Sequence, residues 1–245
     1  MKLNFYIISV LLLSFVVKAD QIFELIKIPN LTLHKLENKN SLAYLKPEKD
    51  FFVGSNFKNV SCKKNQSQNL NKKFLETQRS FNRYNDDFFK TIKLKYIVLC
   101  SGLEIGGIPA LGFANPEMKT LILNINTNNT KFERVLHHEV FHIIEHNFNE
   151  YFLNISWSEL NSKEFKYSAC STCSNNYSLE KISNSKGFVS EYAKSTISED
   201  MAETFSFMMS NNKIIQDMIS KDKILNNKVK TIKNIVKKLD VKHQF

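Results

Sequence analysis

The sequence predicts an α+β fold, with strands first and helices after. Three observations carry this. Two segments rich in β-branched and aromatic residues, 92–100 (IKLKYIVLC) and 119–126 (KTLILNIN), read as strands. Apolar residues at helical spacing follow the second strand at once and return between 197 and 239. Between the strands, Gly102, Gly106, Gly107, Pro109 and Gly112 concentrate enough breakers to mark a loop or bulged hairpin.

In chain order, residues 1–19 read as a targeting segment. Lys2 supplies a positive start, residues 5–17 are almost wholly apolar, and Val17-Lys18-Ala19 places small residues where a signal peptidase cuts. The apolar run falls short of the ~20 residues that span a bilayer, so cleavage after Ala19 and a secreted, soluble product are expected. Residues 20–60 alternate short apolar runs with polar breaks and give no assignment. Residues 61–73 read as a polar loop and 72–90 as one amphipathic helix with Phe74, Leu75, Phe81, Tyr84 and Phe88 on its apolar side.

After the second strand, Thr130-x-x-Glu133 has the form of a capping box. Phe132, Val135, Leu136, Val140, Ile143 and Ile144 then predict a helix from about Lys131 to Asn147. Residues 151–187 read as irregular. Thr196 or Ser198 can cap a helix over 197–210, and 214–239 reads as an amphipathic helix or helix pair.

The helix at 131–147 carries His138-Glu139-Val140-Phe141-His142, an H-E-x-x-H motif. Residues i and i+4 stack on one helix face, so two imidazoles can reach one ion. Imidazole suits Zn²⁺, which lowers the pKa of a bound water and polarises a peptide carbonyl. Glu139, between the histidines, is the candidate base for that water. His137 is read as structural or supporting, and His146 lies one turn too far along a straight helix.

A third ligand has to come from elsewhere. The longer H-E-x-x-H-x-x-G-x-x-H form is absent, because Glu145 and Phe148 stand where its Gly and last His belong. Glu199-Asp200-Met201-Ala202-Glu203 supplies carboxylates at i and i+4 on a later helix. One can bind metal while the other orients a ligand histidine.

The chain carries Lys+Arg 34 against Asp+Glu 24, a net charge of +10. The lysines are scattered among asparagines and no nucleic-acid motif accompanies them, so a specific nucleic-acid partner is not expected. Cys62, Cys100, Cys170 and Cys173 favour disulfides in an exported chain, and Cys62–Cys100 with Cys170–Cys173 is the preferred pairing of the three possible. The Cys170-x-x-Cys173 spacing lacks the βαβ context of a redox motif and the second close pair of a zinc knuckle. Six N-x-S/T sequons occur.

From about Leu94 to Met209 the chain resembles the zinc-binding metallopeptidases of the gluzincin group, and is similar to the catalytic domains of anthrax lethal factor and the Pro-Pro endopeptidases. The resemblance rests on H-E-x-x-H, on Trp157–Tyr167, and on Tyr192 seven residues before the Glu199-x-x-Ala202-Glu203 helix. It implies that His138, His142 and Glu199 hold one Zn²⁺, that Tyr192 donates to the developing oxyanion, and that Glu203 supports a ligand from behind. It also implies a zincin-like domain: a small twisted mixed sheet, the motif helix and a helical C-terminal lobe. The resulting division is 1–19 signal peptide, 20–90 lead-in region and 91–245 catalytic domain. The expected protein is a monomeric secreted zinc metalloendopeptidase acting on protein or peptide substrates. An extended substrate would lie on the strand at 119–126. The competing readings are a catalytically inactive binding protein of the same fold, against which the intact Glu139 argues, and a basic surface-binding protein.

Overall fold

The structure, a computed structural model, describes residues 31–34, 40–54, 59–64, 70–152, 156–172, 182–210 and 212–239. The targeting segment at 1–19 and Cys173 lie outside them. The described elements run β1 (Leu31–His34), β2 (Ala43–Pro47), β3 (Phe51–Val53), β4 (Val60–Lys63), α1 (Leu70–Phe81), α2 (Phe88–Thr91), β5 (Tyr96–Ile105) and β6 (Ile108–Pro109). They continue with β7 (Gly112–Asn115), β8 (Thr120–Asn124), α3 (Asn129–Asn147), α4 (Ile197–Ser210), α5 (Asn212–Lys221) and α6 (Lys223–Leu239).

Strand β5 organises the sheet. Its first half pairs in parallel with β2 on one side and β8 on the other, and β1 and β7 add antiparallel at the two flanks. Its second half pairs antiparallel with β4, which carries β3, and with β6. Both faces are covered. Ile97 and Leu99, with Leu121 and Leu123 of β8, join the main core, whereas Tyr96, Val98, Cys100 and Ile122 point into a smaller cluster on the opposite face. That smaller cluster contains the Cys62–Cys100 disulfide, in the expected pairing. Cys170 is also bridged.

The breakers between β5 and β7 are resolved physically. Ile105 pairs with Ile108 across a two-residue turn in which Gly106 and Gly107 both have positive φ, 59° and 79°. Such a turn follows the right-handed twist of its strands and strongly favours glycine. The strand therefore runs on to Ile105 rather than ending at Cys100. The helix expected over 72–90 is two helices, because Asn82, Asn85, Asp86 and Asp87 favour turns over a helix interior. Helix α3 starts two residues earlier than expected. Its cap is Asn128, whose side chain accepts from Lys131 N at 2.9 Å, so the Thr130-x-x-Glu133 capping box does not form.

Helix α3 packs between the sheet and α4, burying Leu136, Val140, Phe141, Ile143 and Ile144. Helices α5 and α6 cover the far side of α4. The break between them falls at Asp222, whose carboxylate accepts from Leu225 N at 3.0 Å and caps α6. Among the described residues no helix is long and apolar enough to cross a membrane.

The strand expected to receive an extended substrate requires correction. β8 is interior, hydrogen-bonded to β5 on one side and β7 on the other. Among the described residues, β7 is the strand beside α3 that is paired on one side only.

Candidate metal centre

His138 and His142 sit one turn apart on α3 and turn their Nε2 atoms toward each other, 3.1 Å apart. Glu199, in the first turn of α4, places Oε2 3.0 Å from His138 Nε2 and 3.5 Å from His142 Nε2. The structure thus brings together the three residues expected as ligands, on two helices joined by extensive packing.

The second ring nitrogens show what occupies these groups. His138 Nδ1 lies 3.0 Å from Glu203 Oε1. His142 Nδ1 lies 3.4 Å from Glu145 Oε2. A carboxylate accepts only, so each Nδ1 carries a proton, and each Nε2 is the atom that can bind a metal ion once it gives up its own. Two imidazole Nε2 atoms and a carboxylate oxygen face one another at 3.0–3.5 Å. Glu199 Oε2 is buried with no aligned hydrogen bond. Such a cluster is held together by protons on the Nε2 atoms or by a metal ion that displaces them. Their separations also match the roughly 3.3 Å edge of a tetrahedron around an ion bound at about 2.0–2.1 Å. The donor set fits Zn²⁺.

Electrostatics agree. Burial alone would lower the histidines, but the hydrogen bonds that His138 donates to Glu199 and Glu203 hold it well above its usual value. Glu145 and Glu199 raise His142 to about 9. Burial opposes ionisation of Glu199 and Glu203, yet the facing histidines keep both below the usual carboxylate range. The pocket attracts positive charge.

Glu139 is 8% exposed and lies in the same cleft, where it accepts from the backbone N–H of Ala114 in β7. Burial pushes its carboxyl upward. Tyr192 lies in a short 3₁₀ turn before α4, its ring 6.0 Å from that of His138. Burial and the nearby Glu199 and Glu139 charges raise its phenol, which also hydrogen-bonds Ser171 and Glu199. The cleft encloses about 490 Å³ between α3, the segment from β6 to β7 and Ser171–Thr172.

A family profile with the description "Putative zinc-binding metallo-peptidase" matches residues 68–245. The chain belongs to this family of zinc-binding metallopeptidases. It is also similar to a solved structure described as a putative zinc-binding metallo-peptidase from Bacteroides caccae. That protein is 19% identical, with a TM-score of 0.42, over 69% of this chain and 68% of that one. No curated protein matches.

The residues around the three candidate ligands are as informative as the ligands themselves, and few of them are marked in the sequence. Glu203 takes its expected place behind His138. Its buried carboxylate also accepts from Arg134 Nη2 at 2.9 Å and Ser190 Oγ at 2.6 Å. Glu145, read only as a departure from a longer motif, stands behind His142. Asp200 was overlooked. Its Oδ2 receives Lys228 Nζ at 2.6 Å, Trp157 Nε1 at 2.9 Å and the Tyr167 hydroxyl at 2.5 Å. This buried cluster fixes the first turn of α4, where Glu199 stands. Only the adjacency of Asp200 to Glu199 could have drawn attention to it. His137 is fully buried, with Nδ1 2.7 Å from the Tyr84 hydroxyl, and plays a structural part. His146 is exposed and stays outside the cluster.

Proposed function

We propose that this chain is a secreted zinc metalloendopeptidase of zincin-like fold, with Glu139 as the general base. The observation that supports the reading is the convergence of His138 Nε2, His142 Nε2 and Glu199 Oε2, close enough to share one ion, beside a buried carboxylate. His138, His142 and Glu199 would hold one Zn²⁺. When bound, Zn²⁺ supplies a Lewis acid that polarises a carbonyl and acidifies water.

The remaining steps belong to the protein's own side chains. Glu139 takes a proton from the attacking water and passes it to the leaving amine. Burial raises its pKa toward the range in which a carboxyl can do both. Tyr192 keeps its proton and so can donate to the oxygen on which negative charge develops. Glu203 and Glu145 hold the two imidazoles in the tautomer that presents Nε2. A peptide in extended form would pair with the open edge of β7, which runs past Glu139. Residues 1–19 would direct export, giving a mature chain that begins at Asp20.

The test is Glu139→Gln. Zinc content should stay at one ion per chain, and peptide cleavage should fall by about 10²- to 10⁴-fold. Cleavage that survives the substitution, or a wild-type protein that takes up no zinc, overturns the reading.

A further inference from the structure

The segment from the end of β5 through β6 to the start of β7 forms one wall of the cleft, and its composition is one-sided. Ile105, Ile108, Pro109, Ala110 and Leu111 all line the cavity. Ile108 is 54% exposed, one of few large apolar side chains left open to solvent among the described residues. An exposed apolar surface beside a reactive centre marks a place where something apolar is to be covered.

This wall is pre-formed. The Gly106–Gly107 turn fixes its tip, and Gly106 N donates to Asn59 O at 2.9 Å. Ala110 N donates to Leu103 O at 2.9 Å. Asn124 then occupies the carbonyls: its side-chain Nδ2 donates to Ala110 O at 3.1 Å and its backbone N to Leu111 O at 2.8 Å. With these backbone groups engaged, the rim presents carbon to the cleft.

Its position relative to the centre is set by Gly112, the next residue. A Cβ there would come within 2.6 Å of Glu139 Cγ and Oε1 and 2.7 Å of Val135 Cγ1. The strand thus passes directly against Glu139, and the apolar rim begins one residue away from that contact. A peptide laid along β7 with its bond at Glu139 would set a neighbouring side chain against the rim.

We infer that the enzyme selects peptides carrying a bulky apolar side chain next to the bond cut, held against the rim formed by Ile105, Ile108, Pro109 and Leu111. This rests on the metallopeptidase reading above and names its substrate class. A charged side chain in that place would lose hydration without gaining a partner from the rim.

Two measurements on the zinc-loaded protein keep the inference and that reading apart. In the first, a peptide series varies one position beside the cleaved bond among Leu, Phe, Ser, Asp and Lys. Leu and Phe peptides should be cut about 10- to 100-fold more efficiently in kcat/KM than the others. In the second, short hydroxamates with a Leu-like or a Ser-like side chain are bound to the same protein, with the Leu-like compound expected to bind the more tightly. Ile108→Asp should shrink both preferences while leaving zinc content and thermal stability unchanged. Peptides cut without regard to that position, with equal binding of the two hydroxamates, overturn the inference and leave the enzyme reading intact. No cleavage above the Glu139→Gln background, with the hydroxamate preference retained, overturns the enzyme reading and leaves the apolar rim standing.

Discussion

Ser198 Oγ donates a 2.5 Å hydrogen bond to Glu145 Oε2, joining α4 to α3 directly behind His142. Both Ser198 Oγ and Glu145 Oε2 lie 3.4 Å from His142 Nδ1. The pair therefore holds one imidazole from behind, as Glu203, Arg134 and Ser190 hold the other. Glu145→Gln should weaken zinc binding by about 10- to 100-fold, the usual cost of removing an outer partner of a ligand. Glu145→Asp with Ser198 retained should recover part of it. Competition against a chromophoric chelator measures both.

Gly112 is required by proximity, since its φ is not in the left-handed region. Gly112→Ala places a methyl within 2.6 Å of the Glu139 side chain, so either the strand or the carboxylate must give way. Zinc binding should persist, because neither histidine is touched, while kcat falls by about 10²-fold through displacement of the base. A normal kcat with reduced zinc content would contradict this.

The Lys228–Asp200 pair is fully buried, with Trp157 and Tyr167 as further donors to the same oxygen. Burial lowers Lys228 and raises Asp200, and their attraction opposes both shifts. Lys228→Met leaves a buried carboxylate without its counter-ion and should destabilise the fold by about 3–5 kcal/mol. Urea unfolding followed by Trp157 fluorescence measures it, Trp157 being the chain's single tryptophan.

His137 gives the fold a built-in sensitivity to acid. Burial depresses its pKa from 6.5 to about 3, with the Arg83 charge adding to the effect. The unfolded chain therefore binds a proton that the folded chain refuses throughout that window. Stability contributed by the neutral ring is complete above about pH 6.5 and is lost progressively as pH falls toward about 3. In chelator-treated protein, His137→Gln should flatten this decline, as measured by denaturant midpoints across the range.

What the sequence disclosed depended on how local the signal was. The i, i+4 spacing of His138 and His142 is a property of one helix, and the two rings do face each other on it. Glu199 and Glu203 were legible for the same reason, as a second i, i+4 pair. Glu145 was within reach, three residues past His142, but was judged only against a longer motif. Arg134, Ser190, Ser198 and Lys228 meet their partners only through packing of α3, α4 and α6, and nothing in their own neighbourhood marks them. The sheet shows the same division. β5 and β8 announced themselves through β-branched residues, whereas the edge position passed to β7, a four-residue strand of Gly112-Phe113-Ala114-Asn115 with little strand propensity of its own.

The Cys62–Cys100 cross-link closes a ring 38 residues around, and that ring contains all of α1 and α2. By loop-closure entropy alone it removes about 4 kcal/mol of freedom from the unfolded chain. Helix α3 packs on one flank against α1, which lies inside that covalent ring, and on the other against α4, which carries Glu199 opposite His138 and His142. A reductant would open this ring and the bridge at Cys170 but leave the packing of α3 on α4 in place, so a reduced chain should loosen in its N-terminal half first.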